Sequence, residues 1–307
     1  MKLRQGLFFC AAGILLAAPA APAQRVVPLK FLFRTDTTVA LRHPRAIAVD
    51  PLGNLYVADT GNHRIVWFGP EGKFVRYLGG LGGGREQFDT PTDVCAPDGL
   101  NLFVVDQNNN RIVRLDRRLN FVAAYAGRGF RDEIGRFALP AGIAVSPQGD
   151  LFLSEEEQNG IIKFNAFLQP VSRFGGLQSG ETVLSRPEQL AVLGNRWLVV
   201  VDRDAERLAL FDYFGNFIRF FPDSLVRQPQ GLASVPGDTS FLVTDSARNA
   251  VLLCSADGVL ARFRTLSTDP GQTWRTPTDV AMSGNRLFVL DAVRGSVLVY
   301  GLFPPKR

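Results

Sequence analysis

Short apolar runs separated by turn-forming residues recur along most of the chain. The runs are rich in Val, Ile, Leu and Phe and are bounded by Gly, Asp, Asn and Pro, a pattern that predicts β-strands. A proline opens such a run six times, at intervals of 47, 49, 47, 42 and 48 residues: Pro44, Pro91, Pro140, Pro187, Pro229 and Pro277. An acidic residue follows each proline in the same phase: Asp59, Asp106, Glu155, Asp202, Asp245 and Asp291. The chain therefore contains six sequence repeats.

Each repeat holds four predicted strands, except the last. A period of about 40–50 residues with four strands is typical of a propeller blade. The sixth repeat lacks its fourth strand, and residues 29–35 align with residues 259–265, the fourth strand of the fifth repeat. We therefore predict an all-β, six-bladed β-propeller over residues 24–303. Its blades would be four-stranded and antiparallel, and the N-terminal strand would close the last blade, leaving few exposed strand edges.

The first 23 residues have the composition of a signal peptide. Lys2 and Arg4 precede an apolar stretch, and residues 21–23 form a small-x-small pattern. The apolar stretch is short for a membrane span, and no second long one follows. We expect cleavage after Ala23, export to the periplasm or beyond, and no transmembrane anchor after cleavage. Residues 304–307 would form a C-terminal tail.

The net charge excludes few classes of partner, and the cysteines predict no disulfide. Loss of Lys2 and Arg4 leaves 32 basic residues from the original 34, against 29 acidic ones, a balance that does not favour nucleic acid as a partner. Cys95 and Cys254 fall in opposite repeats, too far apart to bridge, so we predict two free thiols.

The first two repeats resemble the NHL-repeat family. The resemblance lies in residues 46–50, 53–59 and 62–65, and it continues in the second repeat with Asp106 and Arg111. The resemblance implies a propeller that binds its ligand on the face formed by the linkers and the turns between second and third strands. Together with the predicted signal peptide, it leads us to expect an exported bacterial protein that is a monomer. Ala250 and Ser296 replace the repeat arginine, and Glu155 replaces the aspartate, so the blade surface should not be uniform.

The repeated acidic residue is interpreted as part of the scaffold, because an aspartate in a turn accepts hydrogen bonds from nearby backbone N–H groups. Other side chains near the channel mouth, and Arg and aromatic residues on long linkers, are candidates for the binding face because such residues are common in interfaces. The candidates are Arg45, Asp93, Glu188, Gln189, Gln230, Asp279, Arg128, Arg131 and Trp274.

Three functions fit these patterns. The leading hypothesis is a non-enzymatic scaffold that binds an envelope protein, a peptide or a glycan, because no catalytic motif is found. The alternative is a hydrolase similar to metal-dependent lactonases, with Ca²⁺ held at the channel mouth by four oxygen-bearing side chains: Asp93, Glu188, Gln189 and Asp279. RNA binding, a property of some intracellular NHL domains, would require a cytoplasmic chain. A zinc site of three histidines is excluded, because only His43 and His63 are present.

Overall fold

The computed structural model describes residues 25–176, 184–222 and 226–302. The predicted signal peptide and the predicted C-terminal tail lie outside the described residues. Within these ranges no helix has the length and apolar character needed to cross a membrane.

The described residues form strands, with four short 3-10 helices in the turns and linkers between them. The N-terminal strand is β1 (Arg25–Arg34). The first repeat forms β2 (Ala46–Val49), β3 (Leu55–Asp59), β4 (Arg64–Phe68) and β5 (Phe74–Gly79). The second forms β6 (Pro91–Cys95), β7 (Asn101–Asp106), β8 (Arg111–Asp116) and β9 (Phe121–Ala126). The third forms β10 (Pro140–Val145), β11 (Leu151–Glu155), β12 (Gly160–Phe164) and β13 (Pro170–Phe174).

The remaining three repeats follow the same order. The fourth forms β14 (Pro187–Leu193), β15 (Trp197–Asp202), β16 (Arg207–Asp212) and β17 (Phe217–Phe220). The fifth forms β18 (Pro229–Ser234), β19 (Phe241–Asp245), β20 (Ala250–Ser255) and β21 (Gly258–Thr265). The sixth has β22 (Pro277–Ser283), β23 (Arg286–Asp291) and β24 (Ser296–Leu302). The 3-10 helices are Thr60–Asn62, Gly127–Gly129, Glu133–Gly135 and Pro270–Gln272.

The structure is an all-β propeller, but the prediction of six separate four-stranded blades is wrong. The first four repeats each form a four-stranded antiparallel sheet, whereas the fifth and sixth share one eight-stranded sheet. The order in that sheet is β18-β19-β20-β21-β1-β24-β23-β22.

The N-terminal strand is the reason for the shared sheet. Its first half runs parallel to β21, from the pair Arg25 and Ala261 to the pair Leu29 and Thr265. Its second half runs antiparallel to β24, with a register shift between Phe31 and Phe33. The strand does supply the missing partner of the sixth repeat, as the sequence predicted. Because it also pairs with the fifth repeat, both unpaired edges are covered at once.

The repeats close into a ring around a central axis. The innermost strands are in contact in sequence order, and β22 contacts β2. Six hydrophobic clusters form the core, one between each pair of successive repeats and one between the sixth and the first. The linkers and the turns between second and third strands lie on one face, here called the loop face. The turns between first and second strands lie on the opposite face.

Both cysteines in the described part of the chain are free thiols, as predicted. Cys254 is buried and Cys95 is half-buried. Burial raises the pKa of each thiol to about 12, so neither is an activated nucleophile.

Candidate binding site at the axial mouth

The repeated acidic residues are scaffold groups. Asp59 is fully buried, and its carboxylate accepts hydrogen bonds from the backbone N–H of Arg42 at 2.6 Å and from Nε of Arg64 at 2.7 Å. Asp106 repeats both contacts at 2.7 Å, with Asp89 and Arg111. Each carboxylate thus ties a turn to the linker entering the same repeat, which confirms the scaffold interpretation.

The repeats that depart from the sequence pattern keep this contact by other means. In the fifth and sixth repeats, Arg248 and Arg294 occupy the turn itself and pair with Asp245 at 3.4 Å and with Asp291 at 3.2 Å. In the third repeat, Arg173 comes from the fourth strand and contacts Glu155 at 3.0 Å. These ion pairs were not predicted from the sequence, because the arginines lie outside the expected repeat position.

A depression of about 220 Å³ lies on the axis of the loop face. The residue immediately after the proline of every repeat lines it: Arg45, Thr92, Ala141, Glu188, Gln230 and Thr278. The remaining lining residues are His43, Pro44, Gln189, Arg203 and Ala292. Four of the predicted binding residues therefore belong to a single concave site.

An ion pair crosses this depression. One guanidinium nitrogen of Arg45 lies 3.3 Å from Oε1 of Glu188, and Arg186 lies 3.4 Å from the same oxygen. The first and fourth repeats are opposite each other in the ring, so the pair between Arg45 and Glu188 spans the mouth. The Arg45 side chain is 41% exposed and that of Glu188 is 12% exposed, so the arginine remains open to solvent.

A thin polar layer lies beneath the depression. Asp93 accepts hydrogen bonds from the backbone N–H of Ile143 at 2.7 Å and of Val94 at 2.8 Å. Gln189, from the fourth repeat, donates its side-chain N–H to Asp93 at 3.1 Å. Because Asp93 belongs to the second repeat, the contact with Gln189 reaches across the ring and separates the depression from the channel below.

Burial dominates the ionisation of the two central aspartates. It raises the pKa of Asp93 to about 7, although backbone hydrogen bonds, Gln189 and the charge of Arg45 act in the opposite direction. Burial and the nearby charge of Asp93 raise the pKa of Asp279 well above its usual range. Asp279 accepts its own hydrogen bonds from the backbone N–H of Ile47 at 2.7 Å and of Val280 at 2.8 Å.

The four candidate metal ligands all have polar partners within the protein. Asp93 and Asp279 accept from backbone N–H groups, and Glu188 is paired with two arginines. A divalent ion would have to compete with those donors for every carboxylate. Among the residues that the structure describes, no group of three His, Cys, Asp or Glu side chains is placed to hold a metal ion.

The three candidates on the linkers differ in exposure. Arg128 and Arg131 are exposed on the linker that follows the second repeat. Trp274 is only 9% exposed, because its ring packs against Tyr300 and its Nε1 donates to the carbonyl oxygen of Asn249 at 3.1 Å. Trp274 is thus a core residue that holds its linker to the eight-stranded sheet.

Residues 41–68 match the model of the NHL repeat family. This segment is similar to an NHL repeat. Curated relatives that carry similar sequence include the protein brain tumor of Drosophila melanogaster, 28% identical over 137 residues, or 44% of this chain. NHL repeat-containing protein 2 of Gallus gallus is 31% identical over 99 residues, or 30% of this chain. The matches cover only 12% and 14% of those two relatives. These partial matches support a resemblance of this chain to the NHL repeat family.

Solved structures share the propeller fold of this chain. A catalytically inactive virginiamycin B lyase from Staphylococcus aureus, solved with quinupristin, has a TM-score of 0.60 at 15% identity, covering 89% of this chain and 87% of the lyase. A structural genomics protein of unknown function from Bacteroides thetaiotaomicron has a TM-score of 0.64 at 13% identity, covering 88% and 72%. Identities this low show a common fold and carry no activity over to this chain.

Proposed function

We propose that the chain is an exported, non-enzymatic binding protein whose ligand sits in the axial depression of the loop face. The observation that carries the proposal is the set of residue types after the six repeat prolines. The scaffold position carries an acidic residue in every repeat, whereas the position lining the depression carries Arg, Thr, Ala, Glu, Gln and Thr. A position whose residue type varies between repeats, and which lies on the concave surface of a rigid fold, is suited to ligand recognition.

The ligand class that we propose is a peptide, a segment of an envelope protein, or a glycan. The lining residues offer guanidinium, amide and hydroxyl groups around a floor that is closed by the contact of Gln189 with Asp93. Such groups recognise polar ligands by hydrogen bonding. The exposed Arg128 and Arg131 would extend the contact along the loop face.

The proposed location is the periplasm or the cell exterior, because residues 1–23 have the composition of a cleaved signal peptide. We further propose that the mature chain acts as a monomer. Fractionation of cells that express the full chain, with mass spectrometry of the mature N-terminus, tests both the compartment and cleavage after Ala23.

The binding proposal is tested by affinity capture with matched ion-pair variants. The tagged mature protein is incubated with envelope extract of its source organism, alongside the double variant Arg45→Ala/Glu188→Ala. The control is Lys73→Ala/Glu71→Ala, which removes an exposed pair, 3.9 Å apart, from a turn far from the depression. A pair this exposed contributes little to stability, so the control should fold. The axial variant removes both partners of its pair together, so neither Arg45 nor Glu188 is left as an unpaired charge.

We expect one partner to be enriched by the wild type and by the control, and at least about tenfold less by the axial variant. That loss corresponds to about 1.4 kcal/mol of binding free energy. Equal capture by the axial variant would overturn the proposed site. Circular dichroism of each variant checks that a loss of capture is not a loss of fold.

A further inference from the structure

A second and larger cavity lies on the other side of the layer formed by Asp93 and Gln189. Its volume is about 990 Å³, and it opens on the face opposite the loop face. We call it the lower chamber. It is lined by the second half of each innermost strand and by the turn that follows, for example residues 47–51 and 93–97. A volume of this size accommodates a small organic molecule.

Small apolar side chains form part of the wall of the lower chamber. Equivalent positions of five repeats carry alanine and the second repeat carries Cys95: Ala48, Ala144, Ala191, Ala233 and Ala281. Each innermost strand is hydrogen-bonded on one side only, since it ends its sheet. Its other edge therefore presents unpaired backbone groups toward the axis. The chamber thus combines small apolar side chains with a supply of hydrogen-bonding groups.

The side chains around the chamber carry charge of one sign. The ionisable carboxylates that line it are Asp50, Asp93 and Asp238, and no Lys, Arg or His occurs among the described residues that line it. Asp50 is engaged by its own turn, where it accepts from the backbone N–H of Leu52 and of Asn54. Asp93 is at the closed end of the chamber. Arg45, whose positive charge acts on Asp93, is on the loop-face side of the polar layer.

Low-dielectric walls strengthen the field of a buried carboxylate. A second buried carboxyl group, Asp279, interacts electrostatically with Asp93, so ionising both groups at once is unfavourable. A cation placed beside Asp93 would favour the ionised form of its carboxylate. An anion at the same place would oppose that ionisation, so the chamber discriminates by charge.

We propose that the lower chamber is a second binding site, specific for a compact organic cation with an apolar body. The ammonium group would donate to the carboxylate of Asp93, taking the place of the side-chain N–H of Gln189, while the apolar body lies against the ring of small side chains. The inference goes beyond the proposed function, because this chamber opens on the opposite face from the axial depression.

Binding of three matched probes to the mature protein tests the site. Benzylamine is the cation, benzyl alcohol its neutral counterpart and benzoate the anion, and binding is measured by isothermal titration calorimetry and ligand-observed NMR. We expect benzylamine to bind at least about tenfold more tightly than benzyl alcohol, with no saturable binding of benzoate. Benzoate or benzyl alcohol binding as tightly as benzylamine would overturn the proposal.

Two variants locate the bound amine. Asp93→Asn removes the charge and should weaken benzylamine binding at least about tenfold. Ser234→Phe acts without touching Asp93: Ser234 is an exposed wall residue of the chamber, and the phenyl ring should obstruct the chamber and weaken benzylamine binding at least about tenfold. The control Ser185→Phe places the same ring at an exposed position on the loop face and should leave binding unchanged. Benzylamine binding that is equally tight in Ser234→Phe and in the control would exclude the chamber as its site.

Discussion

At the residue scale, two buried carboxylates have different roles. One stabilises a turn, whereas the other can change its protonation state near neutral pH. The turn carboxylate of Asp59 is paired with an arginine and is satisfied by its own repeat. Asp93 has no arginine in contact and accepts its hydrogen bonds from backbone N–H groups and from Gln189. Burial without a paired cation is what raises its pKa to about 7.

The raised pKa of Asp93 makes the stability of the protein depend on pH. The folded carboxyl keeps its proton up to about pH 7, whereas the unfolded one releases it near its ordinary pKa. The folded state therefore binds the extra proton between these values, and this contribution to stability is lost as the pH rises through that window. The groups facing Asp93 are Asp279, Gln189, Arg45 and Cys95, and of these only Asp279 should titrate with it.

The test is the free energy of unfolding in urea at pH 5 and pH 8, for the wild type and for Asp93→Asn. Asparagine cannot ionise, so the wild type should lose on the order of 2 kcal/mol more than the variant between the two pH values. Comparing the two proteins cancels the titration of other carboxyls. A wild type that loses no more stability than the variant between pH 5 and pH 8 would show that Asp93 is ionised throughout.

At the element scale, β1 decides how the ring closes. It pairs with β21 on one side and with β24 on the other, so two repeats become one sheet. The alternation of its side chains fixes which residues reach the core. Leu29 is fully buried among residues of the fifth and sixth repeats, whereas Leu32 is 39% exposed.

This difference gives a matched pair of variants in one strand. Leu29→Ala should lower the free energy of unfolding by about 2–5 kcal/mol, because it leaves a cavity between two repeats. Leu32→Ala removes the same atoms from a half-exposed position and should cost less than about 1 kcal/mol. Both are measured by chemical denaturation. Similar costs for the two variants would mean that β1 does not pack as described.

At the scale of the whole molecule, the sequence predicted the order of strands and the scaffold role of the turn carboxylates. Both depend on local signals that recur in every repeat, such as the step from Pro44 to Asp59. The shared sheet was not predicted, because the parallel pairing of β1 with β21 joins residues far apart in the chain. This pairing occurs once and therefore gives no periodic pattern in the sequence. The burial of Trp274 likewise depends on where Tyr300 lies in the folded ring.

The candidate site was predicted in part for the same reason. Arg45, Glu188, Gln189 and Gln230 follow the repeat prolines, so their offset in the repeat placed them at the axial mouth. The ion pair across the mouth and the division of the channel by Gln189 are contacts between distant repeats. Such contacts become visible only when the ring is assembled. The lower chamber was not predicted from the sequence, because the alanines in its wall would also suit a packed core.

The central claim is that ligand binding occurs in the axial depression of the loop face. Site-specific photocrosslinking in intact cells tests it most directly, with a benzophenone amino acid at Gln230 in the depression and, as control, at Leu100. Leu100 is 70% exposed in the turn between β6 and β7, on the opposite face. We predict a discrete crosslinked product from position 230 and none from position 100. A product from position 100 alone, or equal products from both, would contradict the assignment of the binding site to the loop face.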